Sequence, residues 1–218
     1  MAEKIILIGG GQHCGVVLYN MEAQGKYEAA GILDADPTKI GTIMHGKPVL
    51  GTYDVQTLER VREEYGTNKF FISFGAMKYR KVTYEFMVSE GWEAVNIIHP
   101  DAVVSPRAKI GKGVLIECGC LITPNPVIGD NVVVNTGSQV NHDNVVEDHV
   151  YIASGVILSG GVTIRENTLL DDGVIVTLGR SVGRNSLVGA GAVVTKDMPD
   201  GVICFGSPAR VIRANDKV

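Results

Sequence analysis

From Val104 an aliphatic residue returns at every sixth position. The series runs Val104, Ile110, Ile116, Ile122, Ile128, Val134, Val140, Val146, Ile152, Leu158, Ile164, Leu170, Val176, Val182, Val188 and Val194. All sixteen are Ile, Leu or Val, with no break in register. A period of six is three strand periods and not a multiple of 3.6, so this is not a helical pattern. It describes short extended pieces joined by turns, with the aliphatic column facing inward. The residue two further on runs from Pro106 through Asp130, His142 and Gly160 to Lys196. That column is mostly polar, Pro or Gly, as turn corners are. Self-similarity at a short fixed period defines a solenoid, in which each unit buries its apolar side only against its neighbours.

The first part of the chain is patterned differently. Lys4–Ile8 predicts a strand that runs into Gly9, Gly10 and Gly11, and Cys14–Ala23 a helix. Tyr27–Leu33 predicts a second strand, ending at Asp34. Val55–Tyr65 predicts a helix with Asp54 as its N-cap. Lys69–Phe74 predicts a strand, Met77–Glu90 a helix and Ala94–Ile98 a closing strand. Alternation of strands and helices indicates a small α/β domain with a parallel, Rossmann-like sheet. The expected division is 1–98 for this domain and 99–218 for the solenoid, with an irregular cap after Val194.

Composition narrows the function. The chain has 218 residues, a net charge of −4, 27 glycines and 6% aromatic residues. The slight acidity gives no electrostatic footprint for nucleic acid. No apolar stretch of about 18 residues exists to span a membrane. The opening MAEKIILIGGG reads as a first strand, not a signal peptide. Four scattered cysteines, Cys14, Cys118, Cys120 and Cys204, do not make a disulfide scaffold, and a cytoplasmic protein is expected.

Candidate chemistry falls in two places. The turn Gly9–Gly15 follows the first strand and opens a helix, where open α/β sheets hold phosphates and nucleotides. A dinucleotide fingerprint is incomplete, because Cys14 stands where the third glycine belongs. Asp34, at the end of the second strand, can accept hydrogen bonds from a ribose or a base; otherwise it is an ordinary loop carboxylate. In the solenoid, His142 lies in the corner column and not in the core. The neighbouring Asp143 can fix its tautomer and raise its basicity. Gly160 stands three repeats on, where it leaves room for a ligand and offers a backbone N–H as an oxyanion donor. Each of these also has a plain reading as a polar or glycine corner. The cysteines and His45, His99 and His149 show no metal-ligand spacing, so no metal is expected.

The two halves together, with His142-Asp143, the segment NTGSQVNHDNVVEDHVYIASGVILSGGVTI (Asn135–Ile164) and the tail FGSPARVI (Phe205–Ile212), resemble one family over nearly the whole chain. It is the nucleotide-sugar N-acetyltransferases acting on UDP-, dTDP- or GDP-linked 4-amino-4,6-dideoxy sugars, relatives of the sialic acid O-acetyltransferases. The resemblance implies a left-handed parallel β-helix with three repeats to the coil, and a homotrimer with sites between adjacent β-helices. It implies acetyl-CoA as co-substrate. His142 matches the general base and Asp143 the acid that hydrogen-bonds it. Gly160 matches the glycine whose N–H meets the acetyl carbonyl. Tyr151 stands where the family often has a histidine near acetyl-CoA, and Ala190 matches a contact to the CoA arm. Gly11, Gln12 and His13 match the sugar-nucleotide loop, Asp34 the acid near base and ribose, and Gly75 and Arg80 residues beside the nucleotide. Gln12, Cys14, Ala35 and Ala76-Met77 depart from the family pattern on the nucleotide side and leave the base open.

The activity so implied is direct acetyl transfer from acetyl-CoA to the 4-amino group of the nucleotide-linked sugar. An O-acetyltransferase of the sialic acid type would use the same base and is the alternative. A longer acyl donor, a non-catalytic scaffold and an NAD-dependent oxidoreductase are further readings, the last disfavoured by Cys14.

Overall fold

The computed structural model describes residues 2–216. The chain forms two compact units, Met1–Ile97 and Ile98–Val218.

In the first unit, β1 (Glu3–Ile8), α1 (Gln12–Gln24) and β2 (Tyr27–Leu33) follow the expected order. Next comes a short hairpin, β3 (Ile43–Met44) and β4 (Lys47–Gly51), which the hydrophobic pattern did not announce. Its turn is His45-Gly46, both at positive φ. It is followed by α2 (Val55–Tyr65), β5 (Lys69–Ile72), α3 (Met77–Ser89) and β6 (Glu93–Ala94). Asp54 caps α2 by accepting from the Thr57 amide. The strand order is β3-β4-β2-β1-β5-β6, parallel except for the β3–β4 pair. β1 is central and fully buried from Ile5 to Ile8, as a strand covered on both faces must be. The chain leaves β1 toward β2 on one side and reaches β5 on the other, so the switch point of the sheet lies at the carboxyl ends of β1 and β5.

Two expectations for this unit are corrected. The strand after α2 stops at Ile72, not Phe74, because the Phe74 carbonyl turns to accept from Arg80. The closing strand is two pieces: β6 joins this sheet, whereas β7 (Ile97–Ile98) is the first rung of the solenoid.

From β7 onward, two-residue strands recur at every sixth position to Val193–Val194. Each pairs in parallel with the strand three repeats on, as in Leu115↔Val133 and Val133↔Tyr151. The result is a left-handed parallel β-helix with three flat sheets. The aliphatic column is its core: every member from Ile116 to Val194 is buried. At about 1.5–3 kcal/mol per buried aliphatic side chain, this column supplies much of the driving force. A second inward column lies two positions before it and includes the buried polar residues Ser138, Asn144 and Thr168. These are satisfied within the coil: Ser138 Oγ donates to the Ala153 carbonyl, Asn144 Oδ1 accepts from the Val162 amide, and Thr168 Oγ1 donates to the Gly183 carbonyl.

The turns fall at the second and third residues after each aliphatic, as the corner column predicted, and the third carries the left-handed backbone. At every sixth position from Gly113 to Gly191 the backbone is left-handed, and each such residue is Gly, Asn, Asp or His. Those are the types that tolerate positive φ. Asp143 (φ 59) is one of them. The cap is not irregular: β24 (Val202–Phe205) extends one sheet and pairs antiparallel with β25 (Arg210–Ala214).

Candidate functional site

In the β-helix, one full coil separates each of Pro124, His142, Gly160 and Leu178 from the next, and the four stack along one edge. The stacking is direct: the Gly161 amide donates to the His142 carbonyl at 2.9 Å and the Gly179 amide to the Gly160 carbonyl at 3.0 Å. His142 Nδ1 lies 2.9 Å from Asp143 Oδ2, and both side chains are 61% exposed. Asn125, one coil earlier, donates through Nδ2 to Asp143 Oδ1 at 3.1 Å. Both carboxylate oxygens are thereby held. The hydrogen bonds from His142 and then Asn125 keep the Asp143 pKa below the ordinary carboxylate value. An ionised Asp143 fixes the proton of His142 on Nδ1 and leaves the Nε2 lone pair free to accept another. Asn125 was missed in the sequence; its signal is the one-coil step that separates it from Asp143.

Gly160 is buried. A Cβ on Gly160 would lie 2.4 Å from both Cε1 and Nε2 of His142. The absent side chain makes room for the imidazole. The ring leans along the edge over Gly160, toward Leu178.

Tyr151 and Ala190 do not join this edge. Tyr151 is on the sheet opposite, where its hydroxyl accepts from Asn135 Nδ2 at 3.2 Å. Ala190 is an exposed corner on another edge of the coil.

In the first unit, a crevice of about 350 Å³ opens at the switch point, lined by Gly9, Gly11, Asp34, Ala35, Tyr53, Phe74, Ala76 and Tyr79. Gly9 has φ +97, and a Cβ there would come within 2.5 Å of Phe74. Gly11 is the N-cap of α1 and brings no capping side chain, so the first helical turn is left open to an anion. Gln12 is exposed beside it. Asp34 is buried, with Oδ2 accepting from the Gly10 amide and Oδ1 from the Asp36 amide and the Lys39 ammonium. Burial alone would raise its pKa, but the Gly10 and Asp36 amides and Lys39 outweigh it and hold the carboxyl below its usual range. Burial, and secondarily the nearby Arg80 charge, pushes His13 down to about 4. His13 is therefore neutral near pH 7 and brings no charge to a phosphate.

Gly75 is half-buried in the loop after β5. Arg80 sits deeper than expected. It is 1% exposed, and Nη1 donates to the carbonyls of Ile72 and Phe74 at 3.0 and 2.9 Å. It fixes the loop that carries Phe74 and Ala76 and is not itself a wall of the crevice. The aromatic walls Tyr53, Phe74 and Tyr79 were missed in the sequence, since single aromatics in loops carry no periodic signal.

Burial pushes the thiols of Cys14, Cys120 and Cys204 up to about 11. A thiol reagent at pH 8 is expected to modify only the half-buried Cys118 in the folded protein, and all four cysteines after denaturation. Absorbance titration of the released chromophore counts them. Among the described residues, no group of three or more His, Cys, Asp or Glu could hold a metal ion, and no helix is long and apolar enough to cross a membrane.

An α/β unit with a crevice at its switch point, followed by a β-helix of hexapeptide repeats with a histidine–carboxylate edge, is the architecture of a hexapeptide acyltransferase. Comparison with known proteins gives the family. A family model described as the PglD N-terminal domain matches residues 4–87. GDP-perosamine N-acetyltransferase from Caulobacter crescentus, in complex with CoA and GDP-perosamine, is 35% identical, covering 98% of each chain with a TM-score of 0.91. The acetyltransferase domain of PglB from Neisseria gonorrhoeae, with acetyl coenzyme A, is 31% identical over 97% of this chain and all (100%) of that one, TM-score 0.86. WeeI from Acinetobacter baumannii is 25% identical over 96% and 100%, TM-score 0.83. No curated protein sequence matches. The chain belongs to the acetyl-CoA-dependent nucleotide-sugar N-acetyltransferases.

Proposed function

We propose that this protein transfers the acetyl group of acetyl-CoA to the 4-amino group of a nucleotide-linked 4-amino-4,6-dideoxy sugar, with His142 as general base. The observation that carries the reading is the fixed chain Asn125–Asp143–His142, which leaves Nε2 open to take a proton at the exposed edge. Likeness over the full chain to an enzyme crystallised with CoA and GDP-perosamine supports it. So does the fact that two of the matched structures are variants with one histidine replaced.

The sugar ammonium gives one proton to His142 Nε2, the freed amine nitrogen attacks the thioester carbon, and the second proton on that nitrogen leaves to water as the amide forms. The new C–N bond forms, and the Gly160 N–H is the donor nearest the base for the oxyanion. The C–S bond then breaks, and the proton on Nε2 passes to the CoA thiolate. The nucleotide occupies the crevice of the first unit, with Gly11, Gln12 and His13 at the diphosphate, Asp34 at base and ribose, and Gly75 in a loop held from behind by Arg80. The enzyme works as a homotrimer in the cytoplasm. Tyr151 and Ala190, which stand away from the His142 edge, reach the donor from a neighbouring copy. The exposed Val103, Leu121, Val127 and Val145 on the outer faces suit such packing.

The test is release of CoA thiol from acetyl-CoA with a panel of UDP-, dTDP- and GDP-linked 4-amino-6-deoxy sugars, plus free sialic acid. Turnover on one amino-sugar nucleotide is expected. Turnover on sialic acid alone would replace the reading by O-acetylation, and silence on all would overturn it.

A further inference from the structure

One corner of the β-helix breaks the rule of its column. Among the corner residues from Pro106 to Lys196, Leu178 is the one large aliphatic side chain. It is 67% exposed, an expensive way to display a leucine on a turn. It also stands on the edge of His142 and Gly160, one coil beyond Gly160. Coils are spaced about 4.8 Å apart. The His142 ring already reaches the level of Gly160, so Leu178 is the next side chain that a group approaching Nε2 meets. One coil beyond it on the same edge stands Lys196. The order along the edge is therefore base, small residue, apolar wall, positive charge. An acyl-CoA has the matching order: reacting carbonyl, short apolar acyl and thioethyl groups, then phosphates.

We propose that Leu178 is the residue that sets the length of the acyl group this enzyme accepts. Its side chain closes the space beside the thioester, contacts the methyl of an acetyl group and excludes a longer chain. The inference rests on the acyl-CoA reading of the His142 edge given above. A single methylene in an apolar pocket discriminates by about 10–200-fold, which sets the size of the effect.

The experiment compares acetyl-, propionyl- and butyryl-CoA as donors to the nucleotide amino sugar found active, in wild type, Leu178→Ala and Leu178→Phe. For Leu178→Ala, the propionyl-to-acetyl ratio of kcat/KM is expected to rise at least about tenfold. Its KM for the nucleotide sugar should stay within about twofold of wild type. For Leu178→Phe, acetyl transfer should weaken and propionyl transfer vanish. Donor preference unchanged in both variants would overturn the inference while leaving the acetyltransferase reading intact. A matching rise in KM for both substrates, or dissociation of the assembly on light scattering, would overturn it in favour of a packing role. Wild type inactive with every donor would sink both.

Discussion

His142→Ala is expected to lower kcat by about two to four orders of magnitude, the range for loss of a positioned general base. The folded state should be untouched. The imidazole is 61% exposed, so thermal unfolding of the variant should match wild type. Binding of CoA and of the nucleotide sugar, read by calorimetry, should also persist. Two features of the geometry sharpen the expectation. Asp143 is ionised and occupied on both oxygens, so Nε2 is the position left to take the amine proton. Asp143→Asn is expected to lower kcat as well, since an amide there no longer fixes the proton of His142 on Nδ1. Wild-type turnover in His142→Ala would remove the base from the mechanism.

Gly160→Ala is expected to lower kcat by about one to two orders of magnitude without hindering folding. The added methyl would lie 2.4 Å from the imidazole, and something must move. The ring is the mobile partner, being the free end of an exposed side chain. Swinging it away breaks the 2.9 Å bond to Asp143, so the loss appears in catalysis and not in stability. Single-turnover kinetics with saturating acetyl-CoA isolates the chemical step. A variant with normal kcat would show that the ring position over Gly160 is immaterial.

The fold was legible because one column of the solenoid is chemically uniform: an unbroken run of Ile, Leu and Val sets the period, and the period sets the coil. The turn column was legible, but only half of each two-residue turn was read. Corner polarity at the second position is a mixture, whereas the left-handed backbone at the third admits only Gly, Asn, Asp or His, a rule that appears only once φ is known. The β3–β4 hairpin and the antiparallel cap escaped because short strands carry too few residues to show a period. Within the candidate site, His142, Asp143 and Gly160 were found because they share one edge. Asn125 and Leu178 share it too, but they are ordinary corner residues until the stacking is seen. Arg80 shows what a sequence hides: burial, and an Nη1 that donates to two backbone carbonyls, give a lone arginine after a strand a part in holding the loop.

The single repeat and the full coil of three repeats are different periods, and the difference separates the evolution of the scaffold from that of its chemistry. Gain or loss of one repeat ahead of His142 keeps every aliphatic side chain inward and the hydrogen-bond ladder closed. Where it falls between Asn125 and His142, it carries His142 and all that follows it round to the next edge, away from Asn125. Gain of a whole coil between His142 and Gly160 keeps both on one edge but parts them. The stretch from Asn125 to Leu178 therefore tolerates no insertion or deletion that leaves its corners out of step.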